Sequence, residues 1–169
     1  MKYITIDLDK CVGCLNCEYA CAFKQNENFD KKSSNIRVNY YPEIITNITM
    51  TCMHCTDAWC MEVCPADAIS RNDETGAVII NQEKCAGCKM CMLACPFGNI
   101  HFDSTKLISQ KCDLCGGDPE CVKVCIAGAL QYEESEELFK SKRKSLDGKI
   151  NQMIEKSRMK KGCVYDDRT

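Results

Sequence analysis

The sequence predicts an α+β chain in which a compact inner unit is inserted into an interrupted outer unit of the same kind, followed by a helical tail. Three observations predict it. Seventeen cysteines stand in 169 residues, and sixteen of them fall into four groups of four. Short alternating apolar stretches of strand length flank those groups. From Glu133 to Lys161 the chain has no proline and Gly148 as its one glycine, and it turns to charged, helix-forming sequence.

The groups are an internal repeat of two kinds. Group one (Cys11, Cys14, Cys17, Cys21) and group three (Cys85, Cys88, Cys91, Cys95) share the tight spacing C-x2-C-x2-C-x3-C. They also share a lead-in, Asp9-Lys10-Cys11-Val12-Gly13-Cys14 against Glu83-Lys84-Cys85-Ala86-Gly87-Cys88. Group two (Cys52, Cys55, Cys60, Cys64) and group four (Cys112, Cys115, Cys121, Cys125) are looser, and both run on into a small apolar tail ending at Ile69 and Leu130.

The elements follow in order. Tyr3–Leu8 alternates, with Ile4, Ile6 and Leu8 on one face, and reads as a strand. Leu15–Phe23 and Met90–Ala94 suit short helices between cysteines. The polar stretch 25–34 reads as a loop. Residues 36–40 and 44–50 alternate around Tyr41-Pro42-Glu43 and read as a hairpin or two extended segments. Ala77–Ile80 follows the Glu74-Thr75-Gly76 turn as a strand, and residues 100–102 and 129–132 are strands just past a cysteine group. In the tail, Glu133, Glu134, Glu136 and Glu137 come first and Lys156, Arg158, Lys160 and Lys161 last, the order that complements a helix dipole. Asp147-Gly148 is expected to break or kink that run. The expected boundaries are an outer unit of 1–24 with 103–132, a connecting hairpin or loop of 25–51, an inner unit of 52–102 and the tail of 133–169.

Composition narrows the function. A formal charge of -2 gives no basis for binding nucleic acid. No charged and apolar leader is visible and no apolar run is long enough to span a bilayer, so the expectation is a soluble cytoplasmic protein without a transmembrane segment. This cysteine density otherwise marks secreted disulfide scaffolds, but the number is odd and the spacing tight and regular. In a reducing compartment such cysteines usually hold metal.

Thiolates suit iron–sulfur clusters, zinc and copper(I). Zinc ribbons separate two C-x2-C knuckles by a dozen residues or more, whereas each group here is one short segment that cannot easily wrap a single ion. A cubane offers four separate iron corners, so three close cysteines can take three while the fourth reaches elsewhere. In two-cluster ferredoxins the fourth cysteine of the tight motif ligates the other cluster. Residues 52–102 read as such a ferredoxin, loose group first. Joining group four to group one restores the same order, so the outer unit reads as a circularly permuted copy.

The expected ligands are Cys11, Cys14, Cys17 and Cys125 for cluster A, and Cys112, Cys115, Cys121 and Cys21 for cluster B. Cluster C takes Cys52, Cys55, Cys60 and Cys95, and cluster D takes Cys85, Cys88, Cys91 and Cys64. Four clusters would carry the net charge to about -10. Pro65 and Pro96 follow a fourth cysteine as the motif expects; Ala22 and Ile126 stand there in the outer unit.

With these groups, Cys52-Met53-His54-Cys55, Cys95-Pro96-Phe97-Gly98 and Lys111-Cys112-Asp113-Leu114-Cys115-Gly116-Gly117-Asp118-Pro119, the chain resembles the four-cluster polyferredoxin subunits of anaerobic redox enzymes over roughly residues 1–132. These accompany tungsten aldehyde oxidoreductases, carbon monoxide dehydrogenase, hydrogenases and formate dehydrogenases; iron–sulfur subunits of dimethyl sulfoxide and nitrate reductases are also similar. The resemblance implies four [4Fe-4S] clusters, the pairing of group one with four and two with three, and low-potential electron transfer. It implies as partner a catalytic tungsten or molybdenum enzyme, carbon monoxide dehydrogenase or hydrogenase, with ferredoxin as a further carrier. The chain departs from the family pattern at Thr56-Asp57-Ala58-Trp59 and at Ile126, where prolines are common.

No nucleophile, acid–base pair or nucleotide loop is legible, so the chain reads as a non-catalytic subunit. A free soluble polyferredoxin and, more distantly, a structural zinc-binding module are the alternatives. His54 and His101 read as packing residues or as donors to sulfide rather than ligands. Trp59 reads as an interface or cluster-covering residue and Cys163 as a free thiol. The tail is either a helix on the protein's own surface or an arm for a partner, self-assembly or filament growth.

Overall fold

A computed structural model of the chain describes residues 1–134 together with Ile150 and Ile154. It divides into two units, Met1–Glu133 and Glu134–Thr169. In the second, Ile150 and Ile154 are helical and exposed. The rest of the expected tail helix, and Cys163, lie outside the described residues.

The first unit carries eight short strands paired into four two-stranded antiparallel ladders. Strand β1 (Tyr3–Ile6) pairs with β8 (Leu130–Glu133), with Ile4 opposite Tyr132 and Ile6 opposite Leu130. Strands β2 (Arg37–Tyr41) and β3 (Thr46–Met50) form the hairpin expected around Pro42. Strand β4 (Ile69–Arg71) pairs with β5 (Val78–Ile80), and β6 (His101–Asp103) with β7 (Ile108–Gln110). β4 and β7 were not legible, because each opens on one isoleucine, Ile69 and Ile108, and continues in polar residues with no alternation to read.

The ladders repeat in kind. Hairpins β2–β3 and β6–β7 each end two residues before a loose group, at Met50 before Cys52 and at Gln110 before Cys112. Ladders β4–β5 and β8–β1 each join the strand after a loose group to the strand before a tight one. In β4–β5 the two strands are consecutive, closed by a turn in which the Asn72 carboxamide oxygen accepts from the Glu74 and Thr75 N–H groups. In β8–β1 they come from opposite ends of the unit.

The helices differ where the sequence differs. Helix α1 runs Asn16–Asn26, through Cys21 and into the stretch expected as loop; it ends where Glu27 turns left-handed (φ 51°). Ala22 permits this, since nothing stops the helix after Cys21. Helix α3 (Met90–Ala94) stops at its expected end because Pro96 pushes Cys95 into an extended conformation. Single turns α2 (Trp59–Glu62) and α4 (Glu120–Lys123) lie inside the loose groups. The buried Glu18 carboxylate of α1 accepts the Val38 N–H at 2.6 Å, pinning β2 to the helix.

All four groups place a left-handed residue just before the second cysteine: Gly13 (φ 68°), His54 (46°), Gly87 (66°) and Leu114 (59°). Glycine takes this shape freely; His54 and Leu114 do so at a cost of about 1–2 kcal/mol each. Both are almost fully buried, so packing holds them there.

A Cβ on Gly87 would lie 2.4 Å from the Leu107 carbonyl oxygen, whereas one on Gly98, also left-handed, would meet nothing within 4 Å. Gly87→Ala is therefore expected to lower the melting temperature and iron content of the purified protein sharply, and Gly98→Ala to cost only the backbone strain of about 1 kcal/mol.

Candidate metal centres

The sixteen described cysteines form no disulfides. Three hollows draw twelve of them together. One is lined by Cys52, Cys55, Cys60 and Cys95, with His54, Trp59, Phe97 and Lys111 in its walls. A second is lined by Cys64, Cys85, Cys88 and Cys91, against Ala68, Ile69 and Ile80. A third is lined by Cys11, Cys14, Cys17 and Cys125, against Val38, Ala129 and Leu130. The other four, Cys21, Cys112, Cys115 and Cys121, influence one another electrostatically, Cys21 acting on each of the other three.

Neighbouring sets touch through the core. Cys17, Cys21 and Cys121 pack in one cluster with Ile36 and Leu130. Cys112 packs with Ala77 and Leu114, with Cys52 against them. Cys91 packs with Ile69, Val78 and Ile100, with Cys60, Cys64 and Cys95 alongside.

Backbone donors reach the sulfurs. Asn35 donates to Cys21 at 3.3 Å, His54 to Cys52 at 3.4 Å, Ala68 to Cys64 at 3.3 Å and Leu114 to Cys112 at 3.5 Å. The last three follow from the local turn, since donor and sulfur lie two or four residues apart. Thr49 Oγ1 lies 3.4 Å from Cys11 Sγ. The Arg71 guanidinium clamps the Cys55 loop, donating to the carbonyls of Cys55 (2.5 Å), Thr56 (3.0 Å) and Gly76 (2.9 Å).

Burial pushes the Cys17 thiol up to about 12, helped by the Glu18 carboxylate beside it. It pushes Cys112 to about 12 as well, against the Leu114 N–H, the Thr51 side chain and Lys111. Cys121 is driven up by burial and by the thiols around it. Such groups are protonated thiols unless a metal supplies the charge that makes thiolates of them.

His54 is pushed down to about 3 by burial and by Lys111 and Arg71, and so is neutral. Its Nδ1 accepts the Val78 N–H at 3.1 Å, which leaves the proton on Nε2. That Nε2 is buried without a partner among the described residues and belongs to a residue lining the first hollow. Sixteen soft donors, apolar walls, N–H groups on sulfur and this orphaned donor fit [4Fe-4S] clusters, whose thiolates and sulfides accept such bonds.

Residues 44–135 match the 4Fe-4S dicluster domain family. The chain belongs to that family. The matched span holds groups two, three and four, and group one precedes it. This dicluster-family chain is 41% identical over 124 residues to the polyferredoxin-like subunit of an aliphatic sulfonate oxidoreductase of Pyrococcus furiosus, covering 73% of this chain and 70% of the relative. It is 34% identical over 152 residues to the electron transport protein HydN of Escherichia coli, covering 76% and 86%. Among solved structures, a chain of the active-site complex BamBC of benzoyl coenzyme A reductase is 25% identical, with a TM-score of 0.47, over 92% of this chain and 90% of that one. The dicluster-family chain is an iron–sulfur protein of the electron-relay kind. Among the described residues no helix is long and apolar enough to cross a membrane.

Sequence reasoning missed Lys111, Arg71 and Thr51 as site residues. Three Lys-Cys pairs open cysteine groups, yet Lys10 and Lys84 are exposed and only Lys111 is buried. Nothing local distinguishes them.

Because the Cys17 and Cys112 thiols sit at about 12 without metal, each must release a proton when it becomes a ligand. Cluster uptake is therefore expected to strengthen as pH rises between about 6.5 and 8.5, read as iron and acid-labile sulfide retained after anaerobic reconstitution at each pH.

Proposed function

We propose that this chain is the electron-transfer subunit of an oxidoreductase complex, holding four [4Fe-4S] clusters in the linear order A, B, C, D between a catalytic metalloenzyme and another redox carrier. The observation that carries the reading is the composition of the hollows. Each combines the first three cysteines of one group with the last of another: Cys125 beside group one, Cys95 beside group two, Cys64 beside group three. Cys21 acting on Cys112, Cys115 and Cys121, the first three cysteines of group four, completes the series. The ligand sets follow: Cys11, Cys14, Cys17 and Cys125 for A; Cys112, Cys115, Cys121 and Cys21 for B; Cys52, Cys55, Cys60 and Cys95 for C; Cys85, Cys88, Cys91 and Cys64 for D.

The exchanged fourth cysteines and the equivalence of ladders β4–β5 and β8–β1 support an inner unit inserted into a permuted outer one. The shared core clusters support the linear order, since thiols assigned to A and B, to B and C, and to C and D pack together. When bound, a [4Fe-4S] cluster takes up and releases single electrons. The chain's own residues fix the ligands, exclude water with apolar walls and direct N–H groups at sulfur, which tunes potential. The complex-borne role is supported by the relative that is a subunit of a sulfonate oxidoreductase.

Anaerobically purified protein is expected to be brown, with iron and acid-labile sulfide near about sixteen each per chain; a colourless zinc protein overturns the reading. Cys21→Ser is expected to perturb the same paramagnetic signal as Cys115→Ser, and Cys125→Ser the same one as Cys14→Ser. A signal shared by Cys21 and Cys55 sinks the ligand scheme. Affinity capture from native extract under anaerobic conditions should recover a stoichiometric metalloenzyme; a lone monomer in its place supports a free shuttle.

A further inference from the structure

Lys111 is an anomaly on elementary grounds. Its side chain is buried, with 5% of the residue exposed. A buried ammonium is costly unless an anion lies beside it. The ion pairs found among the described residues join Lys10 to Asp7 and Lys123 to Asp118 and Glu120; none involves Lys111. Its Nζ donates instead to two backbone carbonyls, that of Cys112 at 2.9 Å and that of Val78. An ammonium has three N–H donors, so one is left without an acceptor among the described residues.

Those two carbonyls belong to different neighbourhoods. Cys112 opens group four, and Lys111 precedes it in the chain. Val78 lines the hollow of Cys52, Cys55, Cys60 and Cys95, as does Lys111 itself, and the Val78 N–H fixes the His54 ring. The residue in the matching position, Thr51 before Cys52, is also buried, and its side chain reaches across to Cys112 of the other loose group. Both residues that lead into the loose groups thus bond to Cys112, which shares a core cluster with Cys52.

We propose that the Lys111 ammonium is the shared counter-charge of the two central clusters, B and C, and holds their reduction potentials above the values they would otherwise take. This rests on the ligand scheme proposed above. A [4Fe-4S] cluster with four thiolates carries about two negative charges oxidised and about three reduced. A fixed cation in a low-dielectric interior favours the more negative, reduced state. One charge placed between two clusters favours reduction of both and also offsets their mutual repulsion. Clusters A and D, on the far sides, receive little of it. Each of the central pair is therefore more easily reduced than it would be without Lys111.

The test compares Lys111→Gln, which keeps an N–H donor but removes the charge, with Lys111→Arg, which keeps the charge. Iron and sulfide are measured first, then the cluster potentials by redox titration followed by electron paramagnetic resonance. Each potential is assigned from the shift it shows in Cys14→Ser, Cys115→Ser, Cys55→Ser or Cys88→Ser.

The expected result in Lys111→Gln is a fall in the reduction equilibrium constants of B and C by about tenfold each, about 59 mV for one electron. A and D should stay unchanged, and Lys111→Arg should recover most of the fall. Selective loss of B and C from Lys111→Gln, with A and D loaded, also supports the proposal. Full loading with four unchanged potentials, a uniform shift of all four, or loss of A or D overturns it. Failure of the ligand scheme is separable, because it would appear in the iron content and signal assignments of the unsubstituted protein.

Discussion

Burying sulfur is the constraint on which the rest of the structure depends. Cys17, Cys21, Cys91, Cys112 and Cys121 are all buried in the middle of a unit that ends at Glu133. They occupy the place where a protein of this size would put its aliphatic core. The three apolar clusters that remain are small, and every one of them contains cysteine. Two-stranded ladders of three to five residues are not stable alone. What makes them persist is that each is tied at its end to a cysteine group. Metal binding is thus expected to add to folding stability, and the thiols pushed upward by burial are those that most need the metal's charge.

That constraint also explains the recurring backbone. Wrapping a short segment round a metal cluster requires the chain to reverse between the first and second cysteines. The left-handed residue before the second cysteine does this in all four groups. The tight groups use glycine; the loose groups use His54 and Leu114, and both carry out a second task. Leu114 fills the core beside Cys112. His54, which lines a hollow, presents a neutral ring whose Nε2 has no partner among the described residues. Backbone strain at these two positions is compensated by burial, and that burial also shapes the electrostatics of the site.

Cations do in this interior what carboxylates cannot. Arg71 spends its guanidinium on backbone carbonyls around Cys55, and Lys111 spends its ammonium on those of Cys112 and Val78. Neither forms an ion pair with a carboxylate among the described residues. In a protein whose cofactors are anionic, such positive charges stabilise the folded state only when those cofactors are present. Fold, cofactor and redox behaviour are coupled through a handful of side chains.

Much of this was legible in the sequence because cysteine spacing is a local signal with a strict chemical meaning. The sorting into tight and loose groups, the hairpin at 37–50, helix α3 and strands β1, β5, β6 and β8 could be read from it. Ladder β4–β5 was half visible, through Val78–Ile80 alone. Helix α1 ran further than expected because Ala22 leaves nothing to stop it, a consequence visible only once Pro96 was seen stopping α3. The sequence by itself determined the chemistry: soft donors, in fours, with the spacing of iron–sulfur proteins. The tertiary structure decided which side chains wall each hollow, and which of three Lys-Cys lysines is buried. Those depend on contacts between residues far apart in the chain, and no local pattern records them.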